Sequence, residues 1–273
     1  MNSSANVSGV QAVIFDISGT VLDYGSRGPV IAFIELFKRH GVTVSAEEAR
    51  GPMGTHKRDH IWSMLSEPSI ADRWAKAKGK RPDTAQLDAL YAEFFPLQIE
   101  IINRHCDVIP GVPQVVKDLR SRGIKIANTT GFETSMMTNL IEFAAEGGYK
   151  PDLWVCPDQV GKGRPAPWMI HYAAKQLDVY PLSTFVKVGD TVADIEEAHN
   201  AGVWMVSVIH SGNEVGLSQQ ELAKCSDDER CQRFSAARAR LAAYGPHYIL
   251  DSVADLMPTI DDISARIARG EKP

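Results

Sequence analysis

Six short stretches of the chain are nearly continuous in apolar, largely β-branched character: "AVIFDI" (12–17), "IKIANTT" (124–130), "LWVCPD" (153–158), "FVKVGD" (185–190), "WMVSVIH" (204–210) and "HYILDS" (247–252). A strand with one wet face alternates apolar and polar positions, whereas a strand covered on both faces reads as an unbroken apolar run. These six therefore predict buried strands. Between them, amphipathic stretches such as "VPQVVKDLRSRG" and "VADIEEAHNAG" predict helices, each closed by a glycine suited to a left-handed cap. Strand alternating with helix is the pattern of an α/β fold, a doubly wound parallel, Rossmann-like sheet.

The alternation is interrupted once. Between residues 25 and 105 no convincing strand pattern occurs, and "PVIAFIELFKRHG", "SAEEAR", "THKRDHIWSML" and "TAQLDALYAEFFPLQIEIINRH" read instead as helices with apolar faces. An α-helical cap domain (25–105) is thus expected between a first core segment (1–24) and a second (106–273). Gly25 and Ser26 on one side and "VIPGVP" on the other supply turn and hinge chemistry. The chain contains no internal repeat or low-complexity tract.

Composition narrows the partners. A chain of 273 residues, 44% of them hydrophobic, is long enough to bury a sizeable core. Its formal net charge of −5, with no long block of like charge, offers no footprint for nucleic acid or an anionic membrane. Cys106, Cys156, Cys225 and Cys231 form no CxxC pair and suit a reducing compartment. The start, "MNSSANVSGV", lacks a cationic segment followed by an apolar run, and no apolar stretch reaches bilayer length. A soluble, cytoplasmic protein acting on a small molecule is expected.

In open parallel sheets, ligands collect beyond the carboxyl ends of the strands. The residues there are Asp16, Thr129 with Thr130, Asp158, Asp190 and His210. A single strand-end aspartate is commonly only a turn or helix cap, but several together argue for a site. Asp190 and Asp194 stand four apart and can face one site across a turn. Carboxylates from separate strand ends make a hard oxygen site suited to Mg²⁺, with a phosphoryl group as its natural guest. Lys57, between His56 and His60 on a predicted helix, reads on its own as part of a solvated face rather than as a reactive amine.

DxxGT at Asp16, a strand-terminal threonine, a basic residue in "KGRPAP" and GDxxxD at Asp190, in that order, resemble the haloacid dehalogenase superfamily over almost the whole chain. The resemblance implies that Asp16 is the nucleophile that takes up a phosphoryl group. It implies phosphate binding by Thr130, with Thr129 and Gly131 beside it, and a guanidinium clamp from Arg164. Mg²⁺ would be held by Asp16, the Ser18 carbonyl and Asp190, supported by Asp194, and the helical insert corresponds to the superfamily's cap. Phosphatases of that superfamily carry a second aspartate two residues after the nucleophile, as general acid. Ser18 stands there in this chain, and a hydroxyl is a poor acid at neutral pH.

"DYGSRGPV", "EEARGPMGTHKRDH", "NTTGF", "GRPAPW" and "SGNEVGL" further resemble the phosphonatase family, which cleaves the carbon–phosphorus bond of phosphonoacetaldehyde to acetaldehyde and phosphate. By that resemblance Lys57 forms a Schiff base with the aldehyde, replacing the missing acid by making carbon a good leaving group. His60 shuttles protons, Met53 lines the pocket near the amine, and a homodimer joins through the cap helices, with "PVIAFIELF" as its apolar contact. The chain departs from the family in having Ser18 for Ala, Ile17 for an aromatic residue and Phe132 for Tyr. The last two bear on which substrate is bound. Two other readings stay open: an Mg²⁺-dependent phosphate-ester phosphatase or phosphomutase of the same superfamily, and a non-catalytic phosphonate-binding protein.

Overall fold

A computed structural model describes residues 9–273. Residues 1–8, on which most of the expectation about "MNSSANVSGV" falls, lie outside the described residues. Along the chain the elements are β1 (Ala12–Phe15), the helices α1 (Arg27–Arg39), α2 (Ala46–Arg50), α3 (Lys57–Ser66), α4 (Pro68–Lys78), α5 (Thr84–Ile102) and α6 (Val112–Ser121), then β2 (Lys125–Thr129) and α7 (Thr138–Glu146). There follow β3 (Leu153–Val155), α8 (Trp168–Leu177), β4 (Phe185–Gly189), α9 (Val192–Ala201), β5 (Trp204–Val208), α10 (Gln219–Lys224), α11 (Asp227–Ala242), β6 (Tyr248–Leu250) and α12 (Leu256–Ala268). No helix among the described residues is long and apolar enough to cross a membrane.

The six strands form one parallel sheet in the order β3-β2-β1-β4-β5-β6. Because successive side chains point to opposite faces, β1 divides its residues between two cores. Val13 and Phe15 pack with residues of α6, α7 and α12, while Ala12 and Ile14 pack with α8, α9 and α11. Burial on both faces is the reason these strands lack alternation. The chain order reverses between β1 and β4, which places the switch point, where such sheets bind ligands, at the carboxyl ends of those two strands.

Helices α1 to α5 carry a separate core. Val30, Phe33, Leu36 and Phe37 meet Ile61, Met64, Trp74, Leu90 and Phe94, with the Phe33 and Phe94 rings stacked at 4.5 Å. The apolar residues of "PVIAFIELF" are thus largely committed to the interior of the cap, and Ile31 is the large side chain of that segment left exposed. α4 was not among the helices expected from the sequence. Its Pro68 at the first position and Gly79 in the left-handed region just past its end are ordinary start and stop signals. α3 begins at Lys57, two residues later than the stretch "THKRDHIWSML" suggested, with His56 as its N-cap.

The chain leaves the core and returns to it side by side. Asp23 donates its N–H to the Asp107 carbonyl at 3.1 Å, and Ile109 donates to the Val21 carbonyl at 2.9 Å. Ser26, the N-cap of α1, adopts a left-handed conformation (φ 48°) and makes no capping bond with its side chain. Asp23 takes over that task, its carboxylate accepting from the N–H groups of Arg27 and Gly28 at 3.0 and 2.9 Å. Burial pushes this carboxyl up to about 7, against the two N–H bonds that favour its ionised form. Replacing Asp23 with Ala removes both acceptors and should lower stability by about 1–2 kcal/mol, the upper range for loss of a helix cap, as read from the urea unfolding midpoint; an unchanged midpoint would show that this cap is immaterial.

Candidate active site

Asp16 follows β1 and Asp190 follows β4, so adjacent strands at the switch point bring the two carboxylates together. Asp194, on the first turn of α9, completes a group whose ligand atoms lie within 4.8 Å of one another. The three differ in what holds them. Asp194 Oδ2 accepts from the Thr191 hydroxyl at 2.6 Å, and Oδ1 pairs with Arg164 at 3.1 Å and Lys187 at 3.0 Å. Among the described residues Asp190 accepts from the Thr20 hydroxyl and the Asn213 N–H, both at 2.7 Å. Burial, and then the neighbouring Asp194, pushes the Asp16 carboxyl up; burial, and then Asp16, pushes Asp190 well up. Burial also works against Asp194, but Arg164 and Lys187 outweigh it and hold that carboxyl below its ordinary value.

Beneath these lies a layer of buried charge. Lys187 sits on the α9 side of β4, and Glu197 lies one turn beyond Asp194 on α9. Glu197 Oε2 pairs with Arg164 Nε at 2.9 Å and with Lys187 Nζ at 3.1 Å. Thr129 belongs to this layer: its hydroxyl oxygen accepts from Lys187 at 2.6 Å and from Arg164 at 2.9 Å, and its carbonyl from Arg164 at 2.6 Å. Arg164 also reaches Asp16 Oδ1 at 2.7 Å. Burial opposes its charge, but Asp194, Asp16 and Glu197 keep the guanidinium protonated.

Asp16, Asp190, Asp194 and Glu197 are therefore four buried carboxylates facing two buried cations, Arg164 and Lys187. Unpaired buried charge is costly, and a divalent cation matches the excess. Asp16 and Asp190, the less committed pair, fit that ion as ligands. Gly19 leaves room for Asp190: a Cβ there would stand 2.3 Å from Asp190 Oδ2.

Cap and core approach closely at two glycines, Gly54 of the cap and Gly131 of the core. A Cβ on Gly54 would meet Thr191 Oγ1 at 2.4 Å, and one on Gly131 would meet the Thr55 carbonyl at 2.5 Å. Between cap and core lies a cavity of about 20 Å³, lined by Asp16, Ser18, Met53, Lys57, Thr130 and Arg164, among others. That is room for about one water. Gly131 and Phe132 also line it, whereas Thr129, His60 and Asp190 do not.

Lys57 is 2% exposed, which excludes the solvated-face reading, and Asp59, two residues on, is the exposed side chain of that turn. The amine lies 4.9 Å from the centre of the Phe132 ring and 5.6 Å from that of Phe33. Among the described residues no carboxylate forms an ion pair with it. Burial lowers its pKa to about 8, with Asp16 opposing and Arg164 adding to the effect. Its place at the first position of α3, the positive end of a helix dipole, acts in the same direction.

His60 stands behind the amine rather than in the cavity. Its ring stacks on Phe33 at 3.8 Å, Nε2 bonds the Ala49 carbonyl at 2.9 Å, and Nδ1 is buried without a partner. Burial, and then Lys57, holds it well below the ordinary histidine value, so the ring is neutral. With Nε2–H donating to the carbonyl, the Nδ1 lone pair is free.

Other strand-end residues do different work. Asp158 accepts the Thr134 N–H, and His210 stacks on Phe234 beside Asp251, both outside the cavity. Ile17 is wholly buried in the core below the site, whereas Phe132 faces the cavity directly. Lys187, Glu197 and Thr191 escaped the sequence reading. A lysine inside an otherwise apolar strand and a glutamate at i+3 from Asp194 were the available signals.

An aspartate just after β1, a strand-end threonine and an aspartate just after β4, under a helical cap, define a class. The chain belongs to the haloacid dehalogenase-like hydrolases, whose family model matches residues 10–202. Within that class its sequence falls among proteins named phosphonoacetaldehyde hydrolase. It is 43% identical to the one from Nitratidesulfovibrio vulgaris over 97% of this chain and 94% of that one. It is 44% identical to that from Paraburkholderia phytofirmans, over 97% and 99%. The crystal structure of a phosphonoacetaldehyde hydrolase-like protein from Oleispira antarctica superposes with a TM-score of 0.96 at 41% identity, covering 100% of this chain and 99% of that one.

The commitments of the carboxylates yield a metal-binding prediction. Asp190→Asn should weaken Mg²⁺ binding at least about tenfold by calorimetry on the substrate-free protein, a loss that even supports of metal ligands produce. Binding equal to the parent's would remove Asp190 from the ligand set.

Proposed function

We propose that the protein hydrolyses phosphonoacetaldehyde to acetaldehyde and phosphate through an imine on Lys57 and a phosphoryl-enzyme on Asp16. The observation that carries this reading is a buried amine, its pKa lowered to about 8, facing the same small cavity as a strand-end aspartate. Position 18 offers no acid to protonate an oxygen leaving group. A phosphate-ester phosphatase would need that acid and would give Lys57 no covalent task.

In this reading the neutral Lys57 amine adds to the aldehyde and loses water to give a protonated imine. Imine formation needs proton transfers at nitrogen and oxygen, and the free Nδ1 of His60, one turn along the helix, is the nearby neutral base. The Asp16 carboxylate then attacks phosphorus. The carbon–phosphorus bond breaks, and its electron pair moves into the imine to leave an enamine. Protonated at carbon, this becomes an imine of acetaldehyde. One water releases phosphate from Asp16 and a second releases acetaldehyde from Lys57, so one water is consumed overall.

Thr130 and the backbone at Gly131, which line the cavity, would receive the phosphonate oxygens. Arg164, already fixed by Glu197 and Thr129, would turn the donor it now gives Asp16 toward them. Mg²⁺ is the proposed ion, held by Asp16, Asp190 and the Ser18 carbonyl; when bound it neutralises phosphonate and carboxylate charge, letting two anions approach. Met53, at the rim of the cavity, would keep the amine dry. We further propose action in the cytoplasm as a homodimer joined through the cap, where Ile31 and Trp62 are large apolar residues on the surface.

Two measurements test the chemistry. Lys57→Arg keeps a charge but forms no imine, so release of both phosphate and acetaldehyde should cease. Borohydride added with substrate should fix a two-carbon adduct on Lys57 of the parent; substantial turnover by the variant, or no adduct, rejects the reading. The attacking amine must be neutral, and a lysine is neutral above its pKa. At low substrate the rate should accordingly rise with pH and level off above about 8. A rate that is flat from pH 6 to 9 would count against Lys57 as the group that titrates.

A further inference from the structure

Arg50, the last residue of α2, joins the cap to the core through a single guanidinium. Nη1 donates to the Gly25 carbonyl at 3.0 Å, to the Asn213 carbonyl at 3.2 Å and to Asn213 Oδ1 at 3.1 Å, and Nη2 donates to the Gly216 carbonyl at 2.9 Å. The Asn213 side-chain amide donates back to the Arg50 carbonyl at 3.4 Å. The loop after β5 is shaped around this group. Gly216 has φ +67°, and a Cβ there would lie 2.6 Å from the Arg50 guanidinium carbon.

The same loop touches the catalytic layer. Asn213 donates its backbone N–H to Asp190 Oδ2 at 2.7 Å, and the Ser211 hydroxyl donates to the Gly19 carbonyl at 2.7 Å. Gly25, at the cap boundary, donates its N–H to the Ser211 carbonyl at 2.8 Å. Asn213 thus holds a cap arginine with its side chain and a core carboxylate with its backbone. On the cap side, Ala49, next to Arg50, is the residue whose carbonyl takes the His60 ring, tying α2 to the helix that starts at Lys57.

The chemistry of the contact suits a joint that opens. Every acceptor of the Arg50 guanidinium is a neutral amide oxygen, and Glu214, a nearby carboxylate, is paired with Arg240 instead. Such bonds fix direction firmly, yet water replaces them without the separation of an ion pair.

We infer that Arg50 is a positioning residue that makes cap closure and alignment of Asp190 one event: seated on the Ser211–Gly216 loop, it holds Lys57 over Asp16 and, through Asn213, steadies the Asp190 carboxylate. The inference rests on the roles proposed above for Lys57 and Asp190, but the joint itself is tested without substrate. Hydrogen exchange would be followed in the backbone of residues 51–56 and 211–217, together with Mg²⁺ affinity by calorimetry, in the parent, Arg50→Ala, Arg50→Lys and Asn213→Ala. Expected are faster exchange of both loops together in Arg50→Ala and weaker Mg²⁺ binding, both partly reversed by millimolar guanidinium ion.

Lysine, with one compact ammonium, should not restore either property. Asn213→Ala keeps its N–H to Asp190, so it should loosen residues 51–56 more than it weakens Mg²⁺ binding. In turnover, Arg50→Ala should lower kcat about 100-fold, the scale of an ångström misplacement, with a smaller change in KM. Exchange and Mg²⁺ affinity unchanged in Arg50→Ala, or fully restored by lysine, overturn the inference. If Arg50→Ala fails to fold, Arg50→Lys and Asn213→Ala decide: parent-like exchange of both loops in each overturns it equally. A parent that binds Mg²⁺ but leaves phosphonoacetaldehyde intact would defeat the proposed function while leaving the joint testable.

Discussion

The constraint on which the rest depends is the crowding of buried carboxylates at the carboxyl ends of β1 and β4. Asp16, Asp190, Asp194 and Glu197 lie within one desolvated layer with only Arg164 and Lys187 to oppose them. Separated from partners, each such anion costs several kcal/mol, so the layer persists only because neighbouring elements over-determine it. Parallel pairing of β1 with β4 sets the distance between Asp16 and Asp190. Helix α9 supplies Asp194 and Glu197 on one face, and the β4 lysine rises between them. The electrostatic imbalance left over is of the size and sign that a divalent cation would offset.

The cap answers a different physical need. An amine that is to hold its proton weakly has to be dry, and the core's strand ends are polar and open to solvent when uncovered. α3 brings Lys57 in at a helix N-terminus between the Phe33 and Phe132 rings, so desolvation and the helix dipole act in one direction. Attraction to Asp16 opposes them and is outweighed. Aromatic walls cover the amine without supplying the counter-ion that would hold it protonated. His60 follows the same logic, since burial beside a lysine keeps its ring neutral.

Most of the sheet was legible because burial on both faces leaves unbroken apolar runs, and the strand ends then nominated Asp16, Thr130 and Asp190. Thr129 and Thr130 illustrate the limit: adjacent residues point to opposite sides, and only the register of β2 shows that Thr130 meets the cavity while Thr129 supports Arg164 and Lys187. Lys187 was hidden by its own context, since one polar residue does not break the pattern of "FVKVGD". Arg50 and Asn213 lie within stretches that carry the family resemblance, but nothing in those stretches shows that the two side chains meet. They lie far apart in sequence, and their meeting depends on how the cap sits on the core rather than on any local period.

Closure also bears on what Asp16 is free to do. With the cap seated, Arg164 pairs with Asp16 and the space beneath Lys57 is about 20 Å³. In the proposed reaction a phosphonate entering this narrow space would displace the Asp16 contact of Arg164, exchanging one anion for another. That exchange acts on a group already held from behind. Glu197 and Thr129 keep the rest of the guanidinium in place while its outer donor changes partner. Phe132 enters at this point: a phenyl ring beside the amine contributes cover but no hydroxyl. If Lys57 forms the proposed imine, the proton traffic around it would fall to His60 and to water admitted with the substrate, because no hydroxyl stands on the Phe132 ring.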